Sequence, residues 1–214
     1  MDVTVQIARG LEVGRLATLH NGAGVRLRPI RPDDAPGLIA FCGRLSPRTA
    51  YQRFFTVRRL RPEDAVALAT VDGHDRLAVV AARDIGQATE LVGVARYGLG
   101  GGDTTPDVGL VVEDAWQGLG LGTMLLAEIM RAGEERGFST FHAEVLAEND
   151  RMLRLLARYA EIVQRTVDRG VITVLFRSAP GSRASATPLS SRSTRCWGSP
   201  AGRRTRPPRG ASAP

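Results

Sequence analysis

The residues that most clearly point to chemistry are three glycines at alternate positions, in the run Gln117-Gly-Leu-Gly-Leu-Gly122. A short apolar strand, Val108 to Val112, precedes this run, and apolar residues at helical spacing follow it from Thr123. Glycine has no Cβ, so the backbone N–H groups of such a turn can converge on one point. A helix that begins there adds the positive end of its dipole. The sequence therefore predicts an anion-binding turn, shaped for a phosphate or a pyrophosphate.

The spacing of these glycines separates the turn from two other phosphate-binding motifs. A dinucleotide-binding fold needs G-x-G-x-x-G and an acidic residue in the expected register after a second strand, and neither is present. A Walker A loop needs a lysine, and the chain contains none. A glycine-rich turn without a ligand is the structural alternative, so the flanking segments have to decide between the two interpretations.

Two separate segments resemble one known family. Gln/Arg-x-x-Gly-x-Gly/Ala, after a strand and at the start of a helix, is the pyrophosphate loop of the GNAT N-acetyltransferases, and the run Gln117 to Gly122 resembles it closely. A second resemblance, to the GNAT domain of bacterial protein-lysine acetyltransferases, is carried by Val25-Arg-Leu-Arg-Pro-Ile-Arg-Pro-Asp-Asp-Ala35 and Leu45-Ser-Pro-Arg-Thr-Ala-Tyr-Gln-Arg-Phe-Phe55. The segment Val71 to Ala81 is similar to the same branch.

The predicted elements follow the GNAT order. The resemblance implies an α/β (α+β) GNAT acyl-CoA N-acyltransferase fold, with a mixed central sheet of about six to seven strands flanked by helices. We expect this domain over residues 25–177, after an N-terminal extension over residues 1–24. Residues 178–214 are rich in Arg, Ser, Pro, Gly and Ala, a composition that predicts a disordered tail because it offers little apolar surface to bury.

The formal charge of +7 belongs to this tail. All 22 acidic residues and 22 of the 29 arginines lie in residues 1–177, and the other seven arginines lie in residues 178–214. A basic arm that binds nucleic acid or an anionic membrane is one interpretation. We favour an unstructured extension, since aromatic residues that stack on bases are nearly absent apart from Trp197. We therefore expect nucleic acid to bind at most weakly, through the tail.

Several classes of protein are disfavoured by what the sequence lacks. No stretch is long and apolar enough to cross a membrane, and the N-terminus lacks the apolar run of a signal peptide, so we expect a cytoplasmic protein without a membrane partner. The two cysteines make no disulfide framework, and the three histidines lack metal-ligand spacing, so we expect no metal. A Gly-x-Ser-x-Gly motif is absent, which disfavours a hydrolase. A monomer and a homodimer both remain open.

The resemblance implies which residues hold acetyl-CoA, the acyl donor. The amides of the glycine turn would hold its pyrophosphate, and the end of the preceding strand would bulge away from the next strand and pair with the pantetheine arm. One N–H there would polarise the thioester carbonyl. Asn149 matches a family asparagine near the CoA arm, and an ordinary helix N-cap is an equally consistent role for it. The implied donor-binding residues are Leu110, Val111, Val112, Gln117, Gly118, Leu119, Gly120, Leu121, Gly122, Thr123 and Asn149.

The general base and the general acid are harder to assign. An alkylammonium acceptor must lose a proton before it attacks, usually to a carboxylate. Family members of this branch place a Glu where this chain has Asp107, which is one methylene shorter, and Glu144 on the neighbouring strand is the second candidate. Many GNAT enzymes place an acidic Tyr seven residues after the Asn, where this chain has Leu156. Tyr159 is three residues later and is more consistent with a packing role.

The residues and the resemblance together predict an acetyl-CoA-dependent N-acetyltransferase. The expected acceptor is a primary amine, with a protein lysine first and a small-molecule amine second. A module that senses acyl-CoA without turnover is an alternative, which the missing Tyr and the shortened base would suit. The other alternative is a protein that binds nucleic acid through its arginine-rich tail. Deletion of residues 178–214 should abolish that binding, whereas an acyltransferase should keep CoA binding.

Overall fold

The computed structural model describes residues 14–56, 59–86 and 88–179. Eight strands in these residues form one sheet, in the order β1-β2-β3-β4-β5-β6-β8-β7. The strands are β1 (Arg15–Thr18), β2 (Gly24–Pro29), β3 (Arg76–Ile85), β4 (Ala88–Gly98), β5 (Asp107–Val112), β6 (Phe141–Leu146), β7 (Ala160–Asp168) and β8 (Val171–Ser178). The expectation of six to seven strands was therefore one strand short: β1 lies within the residues assigned to the N-terminal extension.

Five α-helices flank the sheet within the same residues. They are α1 (Ala35–Arg44), α2 (Pro47–Phe54), α3 (Pro62–Ala69), α4 (Leu121–Glu134) and α5 (Asp150–Tyr159). Helix α4 begins two residues earlier than predicted, so Gly122 lies in its first turn. Within the described ranges, no helix combines the length and the apolar character needed to cross a membrane. Strand β8 continues to Ser178, and the rest of the predicted tail, from residue 180, lies outside the described residues.

Strands β5 and β6 form the parallel pair of the sheet, and α4 connects them, as a parallel connection requires. They pair at one position, Asp107 with His142, and diverge beyond it. By contrast, β5 pairs with β4 without a register shift from Asp107 to Val112. The bulge expected at the end of β5 is therefore absent. The opening beside β5 results from the divergence of β6.

The sheet separates two apolar cores. Along β5, Val108 and Val112 belong to the core beneath α4, whereas Val111 belongs to the core beneath α1 and α3. Since side chains alternate along a strand, Asp107 and Gly109 lie on the same face as Val111. This face, on the side of α1 to α3, carries the polar residues of the candidate site.

Candidate functional site

The glycine turn presents a row of free backbone donors. Gly118 and Gly120 have φ values of +78° and +91°, in the left-handed region that other residues rarely adopt. The first helical hydrogen bond of α4 runs from the Met124 amide to the Gly120 carbonyl, at 3.2 Å. The amides of residues 118–123 donate to no described group. Six consecutive unpaired N–H groups at the N-terminus of a 14-residue helix form a cradle for an anion.

The hairpin of β1 and β2 contacts this turn through His20. The His20 amide donates to the Leu119 carbonyl at 3.1 Å. A Cβ placed on Gly120 would lie 3.1 Å from the imidazole of His20. His20 precedes the segments on which the resemblance rests, and its sequence context gave no signal for this contact.

Gln117 braces the turn instead of presenting its side chain to the cradle. Its Nε2 donates to the Val112 carbonyl at 2.9 Å and to Thr49 Oγ1 at 3.3 Å. Its Oε1 accepts a hydrogen bond from the Arg151 guanidinium. One amide therefore links the end of β5, helix α2 and helix α5.

Asp114, in the turn after β5, fastens the start of α2 to the same region. Its carboxylate accepts hydrogen bonds from the Ser46 amide at 2.9 Å, from Ser46 Oγ at 2.7 Å and from Thr49 Oγ1 at 2.7 Å. Partial burial alone raises the pKa of Asp114, but these hydrogen bonds outweigh it and hold the pKa below its ordinary value. Ser46 also caps α2, because its Oγ accepts from the Thr49 amide.

Asn149 caps helix α5. Its Oδ1 accepts a hydrogen bond from the Met152 amide at 3.1 Å, and its Nδ2 has no partner among the described residues. The cap role and a donor role toward a ligand are therefore compatible. Leu156 is buried in the core beneath α4, and Tyr159 lies at the exposed end of α5 under the Arg158 guanidinium.

The two candidate bases lie on the face of the sheet that α2 covers. The Asp107 side chain is 57% exposed, and its Oδ1 lies 4.0 Å from Nδ1 of His142, which is wider than a hydrogen bond. That Nδ1 atom is buried and has no hydrogen-bond partner in the described structure. Glu144 is exposed and lies two residues further along β6, where the strands have diverged. Asp107 therefore lies at the end of the opening where β5 and β6 still pair, which we call its closed end. Glu144 lies on β6, across the opening from β5.

Two arginines that sequence reasoning missed lie beside Asp107. The Arg53 guanidinium, from α2, rests on β5 at Gly109, where any Cβ would overlap it. Arg96 is the cross-strand neighbour of Gly109 on β4. Burial lowers the pKa of Arg53, and Asp107 acts in the opposite direction. Burial, together with the charges of Arg53 and Arg76, lowers the pKa of Arg96 to about 10.

A polar cavity of about 420 Å³ adjoins His142 on the same face of the sheet. Its other walls are the loop of residues 102–105 and the strands β7 and β8, with Gln164, Thr166 and Thr173. Within the described ranges, no group of three or more His, Cys, Asp or Glu side chains is arranged to hold a metal ion.

The comparison with protein families identifies the class. The acetyltransferase (GNAT) domain family matches residues 25–159. This match covers more than half of the chain, which therefore belongs to the GNAT family of N-acetyltransferases.

Relatives with names and solved structures agree with this assignment. An acetyltransferase of Pseudomonas aeruginosa is 28% identical over 153 residues, which is 71% of this chain and 82% of that protein. The acetyltransferase Pat of Mycolicibacterium smegmatis is 28% identical over 155 residues, which is 72% of this chain and 46% of the relative. The chain thus spans less than half the length of that relative.

The fold expectation is confirmed by a solved structure. The GNAT domain of S. lividans PAT superposes with a TM-score of 0.68 at 32% identity, over 77% of this chain and 96% of that domain. The Salmonella typhimurium protein yncA, solved with its cofactor acetyl-CoA, shares the fold with a TM-score of 0.52 at 15% identity, over 74% of this chain and 98% of that one.

Proposed function

We propose that this enzyme transfers the acetyl group of acetyl-CoA to a primary amine, with a protein lysine as the acceptor. The row of six unpaired amides over residues 118–123 is the observation that carries the proposal, because it opens beside the diverging strands β5 and β6. The lysine acceptor rests on the resemblance of residues 25–55 and 71–81 to protein-lysine acetyltransferases. The similarity to the acetyltransferase Pat and to the GNAT domain of S. lividans PAT supports it.

The residues at the opening fit the donor. Acetyl-CoA supplies the acetyl group as a thioester. The amides of residues 118–123 would hold its pyrophosphate, and the free Nδ2 of Asn149 would contact its arm. The main chain of Leu110 to Val112 faces the opening, where an N–H group would polarise the thioester carbonyl. Gln117 would act indirectly, since its side chain braces the turn.

Asp107 is the proposed base. It removes a proton from the acceptor ammonium, directly or through one water molecule, because its side chain is exposed at the closed end of the opening. The neutral nitrogen then forms a bond to the acetyl carbon, and the carbon–sulfur bond breaks. The acylated nitrogen then loses its second proton to water, and the thiolate takes a proton from water, since Leu156 occupies the position of the family's acidic Tyr and is buried.

The donor site is tested by calorimetry with acetyl-CoA. We expect the wild-type protein to bind and the Gly120→Trp variant to lose binding, because the added side chain strains the turn and crowds His20. Gly170→Trp is the matched control, since Gly170 also has a positive φ but lies in the turn between β7 and β8. Loss of binding in both variants would point to unfolding, which circular dichroism checks. Absence of binding by the wild type would overturn the proposal.

The transfer is tested by release of CoA thiol and by acetyl incorporation into lysine peptides. The chain itself has no lysine, so a labelled lysine in a mixture belongs to the acceptor. Asp107→Asn should lower kcat by roughly 10²- to 10⁴-fold, and Asp107→Glu should restore much of it. Glu144→Gln is the comparison. A larger loss of kcat in Glu144→Gln than in Asp107→Asn would identify Glu144, on β6, as the base. Binding without turnover on any amine would indicate an acyl-CoA-sensing module.

A further inference from the structure

Other partly buried arginines in the described structure have hydrogen-bond partners. Arg136 donates to the carbonyls of Gly73 and Ala132, and three others pair with carboxylates. Arg28 pairs with Asp34, Arg44 with Glu113 and Arg131 with Glu128, each at 3.0 Å or less. In contrast, Arg53 and Arg96 make no hydrogen bond and no ion pair with any described residue. The one close contact of the Arg53 guanidinium with a ring is to Phe54, at 5.2 Å from the ring centre.

The two unpaired arginines are neighbours on one face of the sheet. The Arg53 guanidinium, from helix α2, lies at Gly109, and Arg96 is the residue of β4 that pairs with Gly109. The charge of Arg53 is close enough to lower the pKa of Arg96. The network of Asp114, Ser46 and Thr49 holds the start of α2 against the end of β5. The absence of a side chain at Gly109 leaves the space that the Arg53 guanidinium occupies.

Without a bound anion, this arrangement of two arginines destabilises the folded protein. Each guanidinium is desolvated, as the lowered pKa values of Arg53 and Arg96 indicate, and the two like charges repel each other. Asp107 is the acid whose charge acts on both, but it makes no ion pair with either. The planar N–H donors of a guanidinium group match the two oxygens of a carboxylate.

We propose that Arg53 and Arg96 bind a carboxylate of the acceptor, beside the amine that is acetylated. The inference rests on the proposed acetyl transfer and adds the charge of the acceptor to it. Gly109 follows Asp107 by two residues, so the two positions are roughly 7 Å apart along the strand. The acceptor therefore carries its amine and its carboxylate at about that separation. An acidic side chain next to a lysine provides this chemistry, as does a free ω-amino acid.

The first test is kinetic and uses two matched pairs of acceptors. One pair is 6-aminohexanoate and hexylamine; the other is a short peptide with Lys-Glu and the same peptide with Lys-Gln. We expect kcat/KM of the wild type to be roughly tenfold or more higher for the carboxylate member of at least one pair. The pair that shows the preference identifies the source of the carboxylate. Equal values in both pairs would overturn the proposal.

Variants then assign the preference to the two arginines. The double variant Arg53→Gln with Arg96→Gln should abolish the preference for a carboxylate. Its kcat/KM should fall for the carboxylate acceptor and rise for the acceptor without a carboxylate, because two charges that repel the acceptor's ammonium are gone. Arg48→Gln removes an exposed charge from the same helix and should keep the wild-type preference. A preference that persists in the double variant would place the carboxylate elsewhere and contradict the proposal.

The second test needs no turnover, so it separates this inference from the proposed transfer. The better carboxylate acceptor is titrated by calorimetry into the protein with CoA, and then into the protein alone. We expect binding at least tenfold weaker in Arg53→Gln and in Arg96→Gln, each checked for a melting temperature no lower than that of the wild type. No binding of either carboxylate acceptor to the wild type, or equal affinities of all three proteins, would overturn the subsite even if acetylation of other amines is observed.

Discussion

Arg28 and Arg53 lie on the same face of the sheet, and their surroundings are opposite. The Arg28 guanidinium donates two hydrogen bonds of 2.6 Å to the Asp34 carboxylate, and both side chains are 10% exposed. Arg53 is also partly buried but contacts no described carboxylate. The first pair joins β2 to the turn before α1, far from the opening beside β5. The second arginine faces the candidate base.

The contrast distinguishes Arg28, whose charge is paired within the fold, from Arg53, whose charge we propose to be paired by a ligand. A buried ion pair with two hydrogen bonds is stable only while both partners are present. An unpaired desolvated charge costs stability, and such groups concentrate at functional sites. The environment of an arginine, rather than its burial alone, therefore indicates which of the two roles it has.

Removal of Asp34 should have the largest effect on stability. Asp34→Ala leaves Arg28 desolvated without its carboxylate, so the free energy of unfolding should fall by about 3 kcal/mol. Urea denaturation measures the change. Asp33→Ala is the matched control, because Asp33 is exposed and makes no ion pair with Arg28 in the structure. Equal losses in the two variants would contradict the contrast.

The stability of the Arg28–Asp34 pair should depend on pH. Burial alone raises the pKa of Asp34, but hydrogen bonds from Arg28 and the Arg31 amide outweigh it, so the folded-state pKa is below its ordinary value. The stabilisation is therefore present above the unfolded-state pKa of about 3.9 and is lost as pH falls through the folded-state value. The difference between wild type and Asp34→Ala should be constant from pH 7 to about pH 5 and narrow below about pH 4. A difference that widens in acid would contradict the assignment.

A methyl group at Gly109 should displace Arg53 without changing its charge. Gly109→Ala places a Cβ where the guanidinium lies, so the preference for a carboxylate acceptor should fall by roughly tenfold. Gly24→Ala, in β2, adds the same methyl group where no atom lies within 4 Å. It should leave the acceptor preference unchanged. The ratio of kcat/KM values for the two members of an acceptor pair measures both effects.

The smallest effect should have the opposite sign to that of Asp34→Ala. Arg53→Met replaces an unpaired, desolvated charge with an apolar side chain, so the free energy of unfolding should rise by about 1 kcal/mol. Arg48→Met, on the exposed side of the same helix, should change it by less than about 0.5 kcal/mol. A clear loss of stability in Arg53→Met would mean that Arg53 is a structural residue.

The central part of the fold could be predicted because its signals are local. The strand expected from Val108 to Val112 is observed from Asp107 to Val112, and the glycine turn and helix follow as the pattern indicated. Strand β1 was missed because its four residues, Arg15–Thr18, are mostly exposed and show little apolar alternation. The bulge in β5 was inferred from the family, and the register with β4 shows that it is absent.

The polar contacts of the site depend on residues distant in sequence, so no pattern revealed them. Gln117 was assigned to the donor site from its place in the motif, and the hydrogen bonds of its side-chain amide to β5, α2 and α5 could not be predicted. Arg53 reaches β5 only because residue 109 is a glycine, 56 positions later in the chain. The roles of Asp107, Glu144 and the donor-binding residues implied by the resemblance remain predictions.

The contact between His20 and the glycine turn has a practical consequence for protein engineering. Exposed hairpin tips usually tolerate insertions, and residues 20–22 are exposed. Here the tip holds the Leu119 carbonyl and packs its imidazole against Gly120. An epitope inserted after His20, or a shortened protein that starts at Val25, would remove this contact with the amides that we propose to bind the donor. Fusion partners and labels are better attached at the turn between β7 and β8, on the opposite edge of the sheet.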